Sequence, residues 1–257
     1  MRAPPPSDLP VQTAIVTGGA KRIGAALARA LAADGWHVVI HCNTSRSEAV
    51  ALAAELGTAS VVAADLADPA AAATIIAACA GLPPLRLLVN SASRFVYDQI
   101  EDFTPADFDT HMAVNLRAPA LLSRAFAAAC AGDGDPALIV NLLDAKLAAL
   151  NPDYFTYTLS KIGLAGLTEL TARAYAPRIR CNAIAPAVTL VSGPQSRENF
   201  EAVHGRNPLG RGVSVDEIVT ALRFIIATPT LNAQTLTLDG GQRLMGLPRD
   251  VAYMVDK

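Results

Sequence analysis

Neither a strong charge of one sign nor a long apolar run is present in this 257-residue chain. Its formal net charge is −2, so nothing in the composition suggests a nucleic-acid or anionic-membrane surface. No stretch approaches the ~20 consecutive apolar residues that cross a bilayer, so no membrane contact is expected. The four cysteines (Cys42, Cys79, Cys130, Cys181) never fall in C-x-x-C spacing, and the four histidines (His37, His41, His111, His204) lack ligand spacing. Free buried thiols and no metal are the expectation. Charged residues make up only 17% of the chain, too few for a disordered one. The opening MRAPPPSDLP is too polar and proline-rich for a signal peptide, and residues 1–10 read as a flexible extended arm. A soluble, cytoplasmic protein is expected.

What is present is apolar: 52% of the residues, enough for a large core. Short β-rich runs alternate with alanine-rich helical stretches. TAIVTG, HVVIHC, ASVVAADL, LRLLVNSAS, ALIVNLLD, RIRCNAIAP and AQTLTLDGG read as seven strands. The intervening helices are expected near residues 23–33, 47–56, 69–80, 105–129, 154–176 and 215–227. Runs such as LRLLVN lack period-two alternation, as befits strands covered on both faces in a parallel sheet. This βαβα order predicts an α/β fold: a single Rossmann-type doubly wound domain over residues 11–257, with a mostly parallel seven-stranded sheet flanked by helices. Ligands then bind outside the carboxyl ends of the strands. A weakly periodic stretch, Thr189–Gly212 within about 187–212, reads as a mobile substrate loop.

Three features carry chemistry. TGGAKRIG (Thr17–Gly24) leaves a strand and opens a helix, where a glycine turn and helix N–H groups can approach a pyrophosphate. The second strand ends in HCNTSR without the acid that would hold free ribose hydroxyls. Ser45 and Arg46 suit a 2′-phosphate instead, which favours NADPH. Finally, Tyr157 and Lys161 stand four apart on one helical face, with Asp144 thirteen residues before the tyrosine. The ammonium is expected to pull the phenol's pKa from ~10 toward neutrality.

TGGAKRIG resembles the T-G-x-x-x-G-x-G fingerprint of the short-chain dehydrogenase/reductases, and further segments resemble that family along almost the whole chain. NSAS (Asn90–Ser93) stands where the family has N-N-A-G, and Asn115 matches its helix asparagine. Tyr157 and Lys161 match Y-x-x-x-K, and Asp65 with Leu66 matches the pair beside adenine. APAVT (Ala185–Thr189) occupies the P-G-x-x-x-T region with Ala187 in place of glycine, and LDGG ends the last strand. Three departures point to one branch. Arg22 replaces the second fingerprint glycine, Asp144 replaces the catalytic serine, and SASRF brings Phe95. Together they resemble the pteridine reductases, a branch that includes dihydromonapterin and alternative dihydrofolate reductases.

The resemblance implies a homotetramer and a cofactor site of Gly18, Lys21, Arg22, Ile23, Ser45, Arg46, Asp65, Leu66, Asn90, Ala92, Ser93, Tyr157, Lys161, Pro186 and Val188. It implies a pterin or folate site of Arg22, Ser93, Phe95, Asp144, Tyr154 and Tyr157, with Phe95 stacking on the ring. The catalytic set is Asp144, Tyr157 and Lys161, with Asn115 stabilising the helix beside them. A serine would donate to a carbonyl oxygen that gains charge. An ionised aspartate cannot, and suits a C=N bond whose nitrogen must gain a proton. The expected function is NADPH-dependent reduction of a dihydropterin or dihydrofolate to its tetrahydro form. A carbonyl or oxoacyl reductase of the same family, and a non-catalytic NADP(H)-binding sensor, stay open as alternatives.

Overall fold

The computed structural model describes residues 12–130, 136–192 and 195–254; the expected arm at residues 1–10 lies outside the described residues. Its seven strands are β1 (Thr13–Val16), β2 (His37–Cys42), β3 (Ala59–Ala63), β4 (Leu85–Asn90), β5 (Ala137–Leu142), β6 (Ile179–Pro186) and β7 (Thr235–Leu238). They form one sheet in the order β3-β2-β1-β4-β5-β6-β7, with every pairing parallel. The expected doubly wound sheet is therefore observed. The order reverses between β1 and β4, which opens a crevice at their carboxyl ends.

Successive strand residues point to opposite faces, and the core divides accordingly. Val16, Ile40 and Val89 pack under the helices α1 (Arg22–Ala33), α2 (Arg46–Leu56) and α8 (Val215–Ala227). Ile15, Val39 and Leu88 pack on the other side, with Ile75 of α3 (Ala71–Ala77) and Leu122 and Phe126 of α5 (Ala118–Ala129). Both faces being covered explains why the strands read as unbroken apolar runs. Cys42, Cys130 and Cys181 are buried free thiols and Cys79 is half-buried. Among the described residues, no helix is long and apolar enough to cross a membrane.

Two elements differ from the sequence reading. The helix expected over 105–129 is α4 (Pro105–Met112) running into α5 through a π-helical turn, Ala113–Arg117. The expected loop contains α7 (Arg197–His204), capped by the Ser196 hydroxyl, which accepts from the Asn199 N–H. The remaining long helix, α6 (Phe155–Tyr175), starts one residue later than expected.

Candidate active site

The crevice at the strand ends is a cleft of about 1610 Å³. That exceeds the ~300–1,000 Å³ of an ordinary small-molecule pocket, so it has room for a dinucleotide and a second ring. The glycine turn forms one side. Gly18 has φ +62°, and a Cβ there would stand 2.9 Å from Ala92 Cα. A Cβ on Gly24 would stand 2.2 Å from the Gly18 carbonyl oxygen, so α1 closes on the turn only with glycine. Thr17 ties the turn to the end of β4: its hydroxyl accepts from the N–H of Ser91 (3.0 Å) and Ala92 (3.1 Å).

Arg22 holds the position of the family's second glycine, and its φ is +54°. For a non-glycine residue that conformation costs roughly 1–2 kcal/mol. The side chain offsets the strain by reaching across the cleft, donating from its guanidinium to the Val191 carbonyl at 2.7 Å. Lys21, beside it, pairs with Glu48 at 2.6 Å.

At the end of β5 the chain turns, and Asp144 faces α6. Tyr157 Oη donates to Asp144 Oδ2 at 2.8 Å, while Asp144 Oδ1 accepts from the Lys146 N–H at 2.8 Å. Lys161 Nζ donates to the Leu142 carbonyl at 2.7 Å and lies 5.6 Å from the Tyr157 ring centre. The three groups singled out from sequence thus meet at one spot. Their electrostatics differ from the expectation of a phenol moved toward neutrality. Burial, and then the Asp144 carboxylate, push the Tyr157 phenol well above its usual range. Lys161 is instead the group displaced downward, to about 8, by burial opposed by Asp144. The reason is geometric: the ammonium is committed to a backbone carbonyl, and the nearest partner of the phenol is an acid.

Aromatic rings line the next part of the cleft. Phe95 stacks on Tyr154 (centroids 4.3 Å apart, 17° between planes) and meets Tyr157 edge-on at 4.7 Å. Tyr154 is not the first residue of α6, as expected, but the residue just before it, with φ +53°. Its hydroxyl lies 3.5 Å from that of Tyr253. The N-terminus of α6 is capped from a distance: Thr156 N–H donates to Asp98 Oδ1 at 3.0 Å and Phe155 N–H to the Asp98 carbonyl at 3.2 Å. The Thr156 hydroxyl also bonds Asp98, and lies 2.7 Å from His111 Nδ1. This buried acid holds the helix that carries Tyr157 and Lys161.

Of the residues expected in the site, Gly18, Lys21, Arg22, Ile23, Asp65, Leu66, Ala92, Ser93, Phe95, Asp144, Tyr154, Tyr157, Lys161, Pro186 and Val188 line the cleft. Ser45, Arg46, Asn90 and Asn115 do not. Ser45 and Arg46 begin α2, with Arg46 exposed. Asn90 is buried between strands and donates to Asn141 Oδ1 at 2.8 Å. Asn115 sits in the π turn, fully buried. Its amide brackets Arg94 (accepting from N–H at 2.8 Å, donating to the carbonyl at 2.9 Å) and donates to Ser160 Oγ at 3.0 Å. Ser160 in turn donates to the Tyr157 carbonyl at 2.6 Å. Asn115 therefore supports Tyr157 through Ser160 rather than facing the cleft, because the wider turn directs its amide into the seam with α6.

Sequence reasoning missed the wall beyond the last strand. Asp250, Val251 and Tyr253 line the cleft. Asp153, fully buried, anchors them: its carboxylate takes Arg249 Nε at 2.8 Å and the Asp250 N–H at 2.7 Å. Burial pushes the Asp153 carboxyl up, but those donors hold it at about 2. Lys146 also lines the cleft, donating from its ammonium to the Asp153 carbonyl. The only sequence signal for this wall is an aromatic and charged cluster after the last glycines, which has no periodicity of its own.

The family profile described as "Enoyl-(Acyl carrier protein) reductase" matches residues 18–243. The chain is 32% identical over 237 residues to L-xylulose reductase of Mesocricetus auratus, covering 89% of this chain and 95% of that one. It is similar to the crystal structure of FolM alternative dihydrofolate reductase 1 from Brucella suis in complex with NADP (TM-score 0.86, 39% identity, covering 91% of this chain and 95% of that one). The Brucella canis protein of the same name, also complexed with NADP, gives a TM-score of 0.84 at 38% identity, covering 91% and 94%.

Proposed function

The chain belongs to the short-chain dehydrogenase/reductase family and is an oxidoreductase that uses NAD(P)H, and from that premise we propose that it reduces a dihydropterin or dihydrofolate to the tetrahydro form with NADPH. The residues fit the cofactor. The glycine turn leaves a backbone cradle that any Cβ would fill, and Lys161 is a buried cation at the place where the strand ends meet α6. Gly18, Arg22, Ile23, Asp65, Leu66, Ala92, Lys161, Pro186 and Val188 would hold it. When bound, NADPH supplies a hydride to the substrate's ring carbon.

The chain's own residues supply the proton. Tyr157 keeps its proton across the neutral range and points it at Asp144, so the pair stores one proton at the end of the cleft. A substrate nitrogen lying across both groups takes that proton, and the pair regains one from solvent. Lys161 keeps a positive charge beneath them at neutral pH, since its pKa is about 8. Phe95 and Tyr154 offer a flat aromatic wall, and such ring pairs contribute about 0.5–1.5 kcal/mol beyond burial. Placing both reactants in one cleft supplies the orientation that makes the transfer effectively unimolecular.

The single observation that carries this reading is the Tyr157–Asp144 hydrogen bond. Where a ketone reductase needs a second donor to the carbonyl oxygen, this site has an acceptor whose charge would repel a developing alkoxide. The alternative, a carbonyl reductase, is favoured by the sequence likeness to L-xylulose reductase. The two separate in an NADPH-oxidation assay across dihydropterins, dihydrofolate and simple ketones, repeated with Asp144→Ser. We expect pterin turnover to fall by about 100-fold or more in the variant, with NADP⁺ affinity nearly unchanged. Ketone turnover by the wild type, or pterin turnover by the variant at the wild-type rate, would reject the reading.

A further inference from the structure

His41 lies at the end of β2, 1% exposed, and no step above uses it. Its ring nitrogens have partners of opposite kind on two different segments. Nδ1 stands 3.2 Å from the Gly18 N–H, which can only donate. Nε2 stands 3.0 Å from the Ala64 carbonyl, which can only accept. One protonation state satisfies both: the neutral ring with its proton on Nε2. The residue's own carbonyl takes the Gly19 N–H at 2.9 Å, so both glycine amides of the turn are held by this one residue. Ala64 directly precedes Asp65 and Leu66, which line the opposite side of the same end of the cleft. The ring therefore spans the gap between the glycine turn and the segment after β3.

We propose that His41 is a positioning residue for the nucleotide cofactor: its neutral imidazole sets the spacing between the glycine turn and the Asp65–Leu66 segment, and a proton on Nδ1 releases the turn. A charged ring would present a second N–H to the Gly18 N–H, replacing attraction by repulsion at a buried contact. Burial opposes that charging, with the Ala64 carbonyl and Asp65 favouring it. Asp65 after β3 is the charged group that acts on the ring, while Thr17, Gly18 and Gly19 on the β1 side carry no charge. The consequence is that cofactor affinity falls on acidification, beyond any effect of the cofactor's own phosphates. The inference rests on the cofactor reading and is indifferent to which substrate is reduced.

The test measures NADP⁺ dissociation constants by calorimetry between pH 5 and pH 8 for the wild type, His41→Asn and His41→Leu, with thermal unfolding of each unliganded protein alongside. Asparagine keeps an acceptor near the Nδ1 position and does not titrate; leucine removes both bonds and keeps the bulk. At pH 8 we expect His41→Asn to bind nearly as the wild type does, and His41→Leu to bind about tenfold more weakly. Between pH 8 and pH 5 the wild type should lose about fivefold more affinity than His41→Asn. The phosphate titration is common to both proteins and cancels in that ratio. Parallel pH curves for wild type and His41→Asn would overturn the proposal, even if leucine fails to fold. A wild type that binds no NADP⁺ at any pH would instead overturn the cofactor reading itself, and this proposal with it.

Discussion

On the floor of the cleft, Thr17, Asp144 and Lys161 sit at strand ends or on a helix packed against the sheet, and each is bonded to main chain of the cleft's own frame. On its outer wall, Val191 is held by the tip of Arg22, and the 249–253 segment by the buried acid Asp153 and by Asn199 Nδ2, which donates to the Ala252 carbonyl at 2.9 Å. The floor thus inherits its geometry from β-pairing, while the wall depends on a few side chains reaching in from remote parts of the sequence. A catalytic unit built the first way tolerates changes at the wall, and a wall built the second way can be loosened one residue at a time.

The largest expected effect breaks the floor alone. Tyr157→Phe should lower kcat by about 10²–10⁴-fold, while NADP⁺ affinity and the thermal midpoint change little. Steady-state kinetics beside calorimetry and a melting curve check it. The next breaks the wall alone. Asp153→Ala strips Arg249 and the Asp250 N–H of their partner. Arg249 is 42% exposed and water compensates part of the loss, so about 1–3 kcal/mol of stability should go. Urea titration reads the loss, and hydrogen exchange should show residues 249–254 deprotected while 14–16 and 87–89 keep their protection.

Acid sharpens the same contrast more gently. The Asp153 carboxyl is held at about 2 against an ordinary 3.8, so the folded state favours its charged form. Its stabilisation is complete above about pH 4 and is lost as pH falls toward 2. The difference in unfolding free energy between wild type and Asp153→Asn should therefore shrink across that window, and a pH series of urea titrations measures it. The smallest effect concerns a bond that ties floor to wall. Arg22→Gly relieves the positive φ, by about 1 kcal/mol, and loses the bond to Val191. The melting temperature should hold or rise slightly while the amides at 190–192 exchange faster.

The same division governs what could be read from sequence. The strands were legible because burial on both faces leaves unbroken apolar runs, and the glycine turn because no other residue type fits it. Tyr157 and Lys161 were legible through helical spacing, and Asp144 because it departs from a family pattern. The raised pKa of Tyr157 was not, since it depends on which group comes nearest in space, and the lysine is four residues away yet aimed at Leu142. Nor were Asp98, His41 and Asp153, whose partners lie 58, 23 and 96 residues off. Long-range side-chain bonds leave no periodic trace. Helix α7 was obscured by the glycines and prolines around it, although Ser196 marks its start.

The π turn at Ala113–Arg117 accommodates one residue more than regular α-helix would over the same length. Deleting a single residue there would let the helix recover its ordinary pitch with α4 and α5 nearly in register, and would remove the bulge that aims the turn's side chains into the seam with α6. The Asn115 amide would leave Ser160, and the Tyr157 carbonyl would lose its indirect brace. A more regular helix would thus make a less ordered catalytic centre.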